Sequence, residues 1–346
     1  MPVMTDSSAD TRINISIDLD QPGRQIGDLQ IKWSDNQRPL GYYPVPIVCI
    51  AGGDGPTVLL SAGVHGDEFE GPAALMRLIQ DIAPADVNGR IIILPVLNTP
   101  AILASSRVSP LDQVNMNRAF PGDANGGPTH MLAHFIETRL LPECDAAIDM
   151  HSGGKAAVFA PCVLTQAGMQ ADAQTDIGKR NMSLANAFGA PFIWLSGQNN
   201  DNRSVNAAAA RQGVSMVAAE LGGGGGCDRL MTDFAERAVR RCLHHLGILP
   251  VVMEAEAEAS RLVEFSASGH NLTAPAAGLF DRQFSLGDEV QVGDRAGYLH
   301  FVGEPSRASM ELKFGASGIV LAQGNRGLVE RGDSLAMIAQ PVARAR

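Results

Sequence analysis

Up to Pro250, short unbroken apolar runs alternate with segments whose apolar residues recur at helical spacing. TVLLSAG at 57–63 predicts a buried strand. FEGPAALMRLIQDI, from Phe69, predicts an amphipathic helix. RIIILPVLN, from Arg90, is a continuous β-branched run and predicts a strand buried on both faces. AAIDMH predicts a strand that ends on His151. Residues 178–188 predict a helix, and PFIWL the strand after it. SVNAAAARQG reads as a helix closed by Gly213 and VSMVAAE as a strand ending at Glu220. DFAERAVRRCLHHLG reads as a helix closed by Gly247. Strands alternating with helices predict an α/β fold, with a mixed, mostly parallel central sheet and helices on both faces.

The pattern changes after Pro250. EAEAEASR, at 254–261, is polar and acidic, as a linker would be. Beyond it the helical period is lost. AAGLF, LGDEVQVGDRAGYLHFV, SGIVLA and GLVERGDSLAMIA are strand-like runs broken by Gly and Gly-Asp. The expected organisation is a catalytic domain over 1–256 and a small all-β, barrel-like domain over 257–346.

Composition narrows the partners. The chain has 346 residues, 45% of them hydrophobic, enough for a sizeable core. A net charge of -10 argues against gripping nucleic-acid phosphates, which needs clustered Lys and Arg. It leaves room for a small anionic substrate held by one or two Arg residues. The five cysteines form no C-x-x-C pair, and free thiols in a cytoplasmic protein are expected. MPVMTDSSAD shows no basic region followed by an apolar run, so no secretory signal is expected there. No apolar stretch is long enough to span a membrane.

The chemistry concentrates at predicted strand ends. His65-Gly66-Asp67-Glu68 follows the TVLLSAG run directly and precedes a helix. Ligands of open α/β sheets bind outside the carboxyl ends of strands. A His and a carboxylate three positions apart at a Gly-containing turn can point at one ion. A catalytic zinc takes three protein ligands, and two His with one Glu is a standard set. His151, at the end of AAIDMH and followed by Ser152-Gly153-Gly154, supplies the third. Glu220 ends an apolar strand ahead of Leu221 and the Gly222 to Gly226 run. A carboxylate there needs a role or a partner; the role would be general base, and the alternative is a helix cap or turn acid. The glycine run matches neither dinucleotide nor P-loop spacing. Arg118, in NMNRAFPG, offers a fork suited to a substrate carboxylate. Arg107, in the loop before it, is suited to polarising a scissile carbonyl. His130 and His134 have i, i+4 spacing but lack the acid after the first His, and read as a helix face. His244 and His245 sit at a helix end, where they suit the dipole.

Together HGDEFEG, NMNRAFPG, DMHSGG and AELGGGG resemble the succinylglutamate desuccinylase/aspartoacylase family, a branch of the zinc carboxypeptidase superfamily. The resemblance runs from about Pro46 to the C-terminus. It implies a zinc carboxypeptidase-like catalytic fold with a C-terminal barrel. It implies one zinc ion per chain on His65, Glu68 and His151, and Glu220 as catalytic glutamate. Asn117 and Arg118 would bind the substrate carboxylate. Asp149 would orient the first zinc histidine from behind. Arg107 matches less closely, because its offset from Asn117 differs from the aspartoacylase one. The C-terminal phrases also resemble a lipoyl/biotinyl half-barrel, but the residues flanking Lys313 are wrong for biotinylation, so Lys313 is taken as structural. Within the family, the wording is similar to the deacetylases of ectoine breakdown, which act on Nα-acetyl-L-2,4-diaminobutyrate. The substrate so implied is a small N-acylated amino acid. Other N-acyl-amino-acid deacylation, carboxypeptidase action on short peptides and a metal-binding module without catalysis stay open at this point. So does the oligomeric state, a homo-oligomer included.

Overall fold

The computed structural model describes residues 11–166, 175–196, 201–250, 259–265 and 271–343. The strand Thr57–Ala62 lies between Gly89–Leu94 and Ala146–His151, parallel to both. Ser215–Gly223 continues the parallel run beyond Ala146–His151. Tyr43–Gly52 joins Gly89–Leu94 antiparallel, and Gly23–Ile31 and Ile13–Ile15 follow outward. On the opposite side Ala157–Thr165 runs antiparallel to Ser215–Gly223. The sheet is therefore mixed, with four parallel strands at its centre.

Alternation along these strands builds two cores, because successive side chains of a strand point to opposite faces. Val58, Leu60, Ile91, Ile93, Ile148, Met150, Val217 and Ala219 form one face. Helices Glu70–Asp81, Asp176–Phe188 and Arg229–His245 cover it with Leu75, Leu78, Leu184, Phe188 and Val239. Leu59, Ile92, Leu94, Ala147 and Met216 form the other face, under Pro128–Phe135 and Val205–Arg211. Burying one such Leu or Phe contributes about 1.5–3 kcal/mol. The expected helices on both faces are present. His130 and His134 do lie on a helix, Pro128–Phe135. Arg229–His245 begins ahead of the apolar period, because the Asp228 carboxylate accepts from the Met231 N–H and caps it. The strand Ala157–Thr165 has no counterpart among the sequence-based expectations. Its run AVFAPCVL is apolar throughout, but it does not alternate and Pro161 lies inside it, which weighs against a strand.

The C-terminal part differs from the separate barrel expected of it. Ala157–Thr165 pairs with Phe192–Leu195, which pairs with Arg261–Glu264. That strand pairs with Ser334–Pro341, which pairs with Gly318–Gly324, which returns to Ala157–Thr165. The closed ring is thus shared between the central sheet and strands after Pro250. Cys162, Phe192, Val263, Ile319, Leu321 and Ala339 belong to one buried cluster there. Shared closure gives these short strands a buried partner on both sides, which a small isolated sheet would not have. The remaining C-terminal strands form a four-stranded sheet, Met310–Lys313, Arg295–His300, Gly278–Arg282 and Leu328–Val329. Lys313 ends the first of these and is exposed. Most of the acidic stretch, 254–258, lies outside the described residues. No helix among the described residues is long and apolar enough to cross a membrane.

Candidate active site

Gly63 ends the Thr57–Ala62 strand in the left-handed region, φ 71°. The chain turns there and delivers His65 and Glu68 to the carboxyl edge of the sheet. His65, Glu68 and His151 are all buried. His65 Nδ1 lies 2.7 Å from Glu68 Oε1, and His151 Nδ1 lies 3.0 Å from Glu68 Oε2. The ligand atoms of the three residues lie within 4.8 Å of one another.

The surroundings of these rings decide whether an ion fits. His65 Nε2 is 3.1 Å from Asn115 Oδ1, an oxygen that can only accept, so a proton on Nε2 would be held there and leave Nδ1 free to face an ion beside Glu68. His151 Nε2 faces Asp149 Oδ2 at 2.7 Å, a contact too oblique for an aligned hydrogen bond, and its Nδ1 is likewise the inward atom. Asp149 is itself held by the Ser61 hydroxyl, which donates to Oδ1 at 2.7 Å. The Ser152 N–H donates to Glu68 Oε2 at 3.1 Å. Two imidazole nitrogens and a carboxylate converging on one point are a donor set that could hold a divalent ion.

Asp149 lies against His151 rather than His65. The two share one face of the Ala146–His151 strand, two residues apart, so their side chains lie side by side. The residue behind His65 is Asn115, which the motif reading quoted without giving it a role. Its signal was its place at the head of NMNRAFPG.

Glu220 reaches the site through register. In the parallel pair, His151 stands opposite Glu220. Glu220 Oε2 is enclosed and has no hydrogen-bond partner among the described residues. Burial pushes its carboxyl up to about 8, with Glu68 adding to the rise and His151 opposing it. Burial works the same way on Glu68, but His151 and His65 outweigh it and hold that carboxyl down at about 2. Burial disfavours charge on His151, yet Asp149 and Glu68 override it and raise the imidazole well above its usual value.

The two arginines are placed differently. Arg107 Nη1 donates to Glu68 Oε1 at 3.4 Å, so its half-exposed side chain reaches over the ligands. Arg118 is held by Asp201, Nε to Oδ2 at 3.0 Å, and its Nη1 donates to the Asn117 carbonyl. The Asn117 side chain turns the other way, and its Oδ1 accepts from Val205 N–H at 3.0 Å. It thereby fixes the turn that carries Arg118 to the start of a helix.

Residues 54–246 match the family described as the succinylglutamate desuccinylase/aspartoacylase catalytic domain. A protein of Halomonas elongata named N-alpha-acetyl-L-2,4-diaminobutyric acid deacetylase is 32% identical over 330 residues, 95% of each chain. This chain belongs to the succinylglutamate desuccinylase/aspartoacylase family. It is an amidohydrolase of that family. A succinylglutamate desuccinylase/aspartoacylase structure from Rhodobacter sphaeroides is 34% identical with a TM-score of 0.87, covering 96% of this chain and all of that one. The product-bound ectoine utilization protein EutE (DoeB) of Ruegeria pomeroyi is 31% identical with a TM-score of 0.89, covering 95% of this chain and 99% of that one. These family members match the chain across its C-terminal strands as well as its catalytic sheet.

Proposed function

We propose that this protein is a zinc-dependent deacetylase that hydrolyses Nα-acetyl-L-2,4-diaminobutyrate to acetate and L-2,4-diaminobutyrate, as a step of ectoine degradation. The observation that carries the chemistry is the convergence of His65, Glu68 and His151 with Glu220 in register beside them. The substrate rests on likeness to the Halomonas elongata deacetylase and the Ruegeria pomeroyi ectoine protein. A cytoplasmic location goes with a metabolic role and with free thiols. Residues 1–256 would carry the chemistry and residues 257–346 would cover the cleft.

His65, Glu68 and His151 would hold the ion. Bound there, zinc supplies Lewis acidity, which polarises a carbonyl and acidifies water. Glu220 takes a proton from the attacking water. The Glu220 carboxyl, raised by burial, then passes that proton to the leaving nitrogen as the C–N bond breaks. Arg107 stabilises the charge that develops on the acyl oxygen. Arg118 grips the α-carboxylate, and Asn117 anchors the turn that aims it.

Charge bears on the substrate as well. Asp67, Asp112, Asp123 and Lys155 are further charged residues of these loops. Asp112 is engaged by Thr129 and Asp123 by Asn125 N–H. Asp67 accepts from Lys155 N–H. The Lys155 ammonium donates to the Ser105 carbonyl. With one Lys155 donor committed to that carbonyl and Arg107 directed at Glu68, Arg118 is left as the carboxylate fork, which suits one substrate carboxylate better than two.

The test is kcat/KM of zinc-loaded protein for Nα-acetyl-L-2,4-diaminobutyrate, its Nγ-acetyl isomer, N-acetylaspartate and N-succinylglutamate. The Nα-acetyl compound should be preferred over all three. Preference for either dicarboxylate would remove the proposed substrate and leave the zinc mechanism standing.

A further inference from the structure

We propose that Lys155 is a positioning residue for Arg107, tying the loop that carries it to the glycine-rich turn after His151. This deepens the reading above and rests on it. Four segments meet at Lys155. Its ammonium donates to the Ser105 carbonyl at 2.6 Å, two residues before Arg107. Its N–H donates to Asp67 Oδ2 at 2.9 Å, inside the His65 to Glu68 turn. Its carbonyl accepts from Asn325 Nδ2 at 3.2 Å, on the C-terminal side of the ring. Gly225, in the glycine run after Glu220, lies so close that a Cβ there would stand 2.7 Å from Lys155 Cγ.

The Arg107 loop needs such a tie. Ser105 holds a left-handed backbone, φ 46°, which a residue with a Cβ adopts reluctantly. A carbonyl engaged by a cation helps hold that conformation. The next carbonyl, of Ser106, accepts from Gly66 N–H at 3.0 Å, so of two adjacent carbonyls one is tied to Lys155 and the other to the turn that carries His65 and Glu68. Arg107 follows, exposed along half of its side chain, and its reach to Glu68 depends on where this loop sits. A donor aimed at a developing oxyanion works only when it is placed within a fraction of an ångström.

A double-mutant cycle tests this. Lys155→Met should lower kcat by about 10²-fold, the scale of a misplaced catalytic group. Its KM should change little, and its zinc content should stay at one per chain. The factor should be equal for mono- and dicarboxylate substrates. In an Arg107→Ala background, Lys155→Met should have no further effect, because the lysine acts through that arginine. Additive losses in the cycle would overturn the proposal, and so would a KM rise confined to dicarboxylates. Lys155→Gln, run in parallel, guards against a Met variant that does not fold. A crystal structure of either variant gives a readout free of turnover: Arg107 should leave Glu68, and an unmoved Arg107 would overturn the proposal. The substrate reading fails separately, by absent activity of the wild type on its proposed substrate, since the cycle needs only some N-acyl amino acid that turns over.

Discussion

A carboxylate that closes an apolar strand must find a partner or give up its charge. Glu220 does neither fully: one oxygen is enclosed without a partner, and burial raises the group to about 8. A group so poised can both accept and release a proton near neutral pH. Glu220→Gln should keep its metal and lose at least about 10²-fold in kcat. Elemental analysis and steady-state kinetics check this, and wild-type turnover would refute the role. Arg118 belongs to the same argument at the other end of the substrate. Asp201 and the Asn117 carbonyl take two of its donors and set its plane, leaving the rest of the fork for a carboxylate. Arg118→Ala should raise KM by about 10- to 100-fold, the worth of a charge-assisted hydrogen bond. The effect should vanish for a carboxamide analogue of the substrate; equal damage there would count against carboxylate binding.

The turn from 63 to 68 is set against the short helix Thr99–Leu103. A Cβ on Gly66 would stand 2.0 Å from the Ala101 carbonyl carbon. Gly66→Ala should therefore push His65 and Glu68 off their common point, at a cost of about 1–3 kcal/mol for overpacking. Zinc titration should show weakened binding and thermal melting a lowered Tm; unchanged zinc affinity would mean that the turn yields elsewhere. Much of this element was legible in the sequence, because a strand end, a glycine and a metal-ligand spacing are local signals. The expectation that His65, Glu68 and His151 converge at strand ends agrees with their cluster, although the approach of His151 rests on its strand lying beside Thr57–Ala62. The nearness of Glu220 to His151 was not, since it depends on the register of two strands far apart in the chain. Asn115 behind His65 depends on side-chain packing, which motif spacing does not encode, whereas the contact of Asp149 with His151 follows from their two-residue spacing on one strand. Ala157–Thr165 is not legible as a strand because its neighbours, and not its own period, make it one.

Across the whole molecule the cysteines report how closed the fold is. Cys49, Cys144, Cys162 and Cys242 are buried, and Cys227 is exposed. Burial pushes the Cys49 thiol up to about 11 and the Cys144 thiol up to about 12, and it raises Cys162 and Cys242 as well. Thiolate is the reactive form, so one thiol per chain should react promptly with an aromatic disulfide reagent from pH 7 to 9. All five should react after unfolding. A second fast thiol in the native protein would show that one of the cores opens. The ring of strands is what closes the C-terminal side, and it sets an order on synthesis. Ser334–Pro341 leaves the ribosome after every other strand of the ring, yet it stands between Arg261–Glu264 and Gly318–Gly324. His65, Glu68, His151 and Glu220 emerge well before it. Until it arrives, the growing chain holds its catalytic residues on a sheet whose edges are bare and open to other nascent chains. A message cut short after Pro250 would therefore yield a polypeptide with all of its chemistry and none of its closure, a substrate for proteases before it is an enzyme.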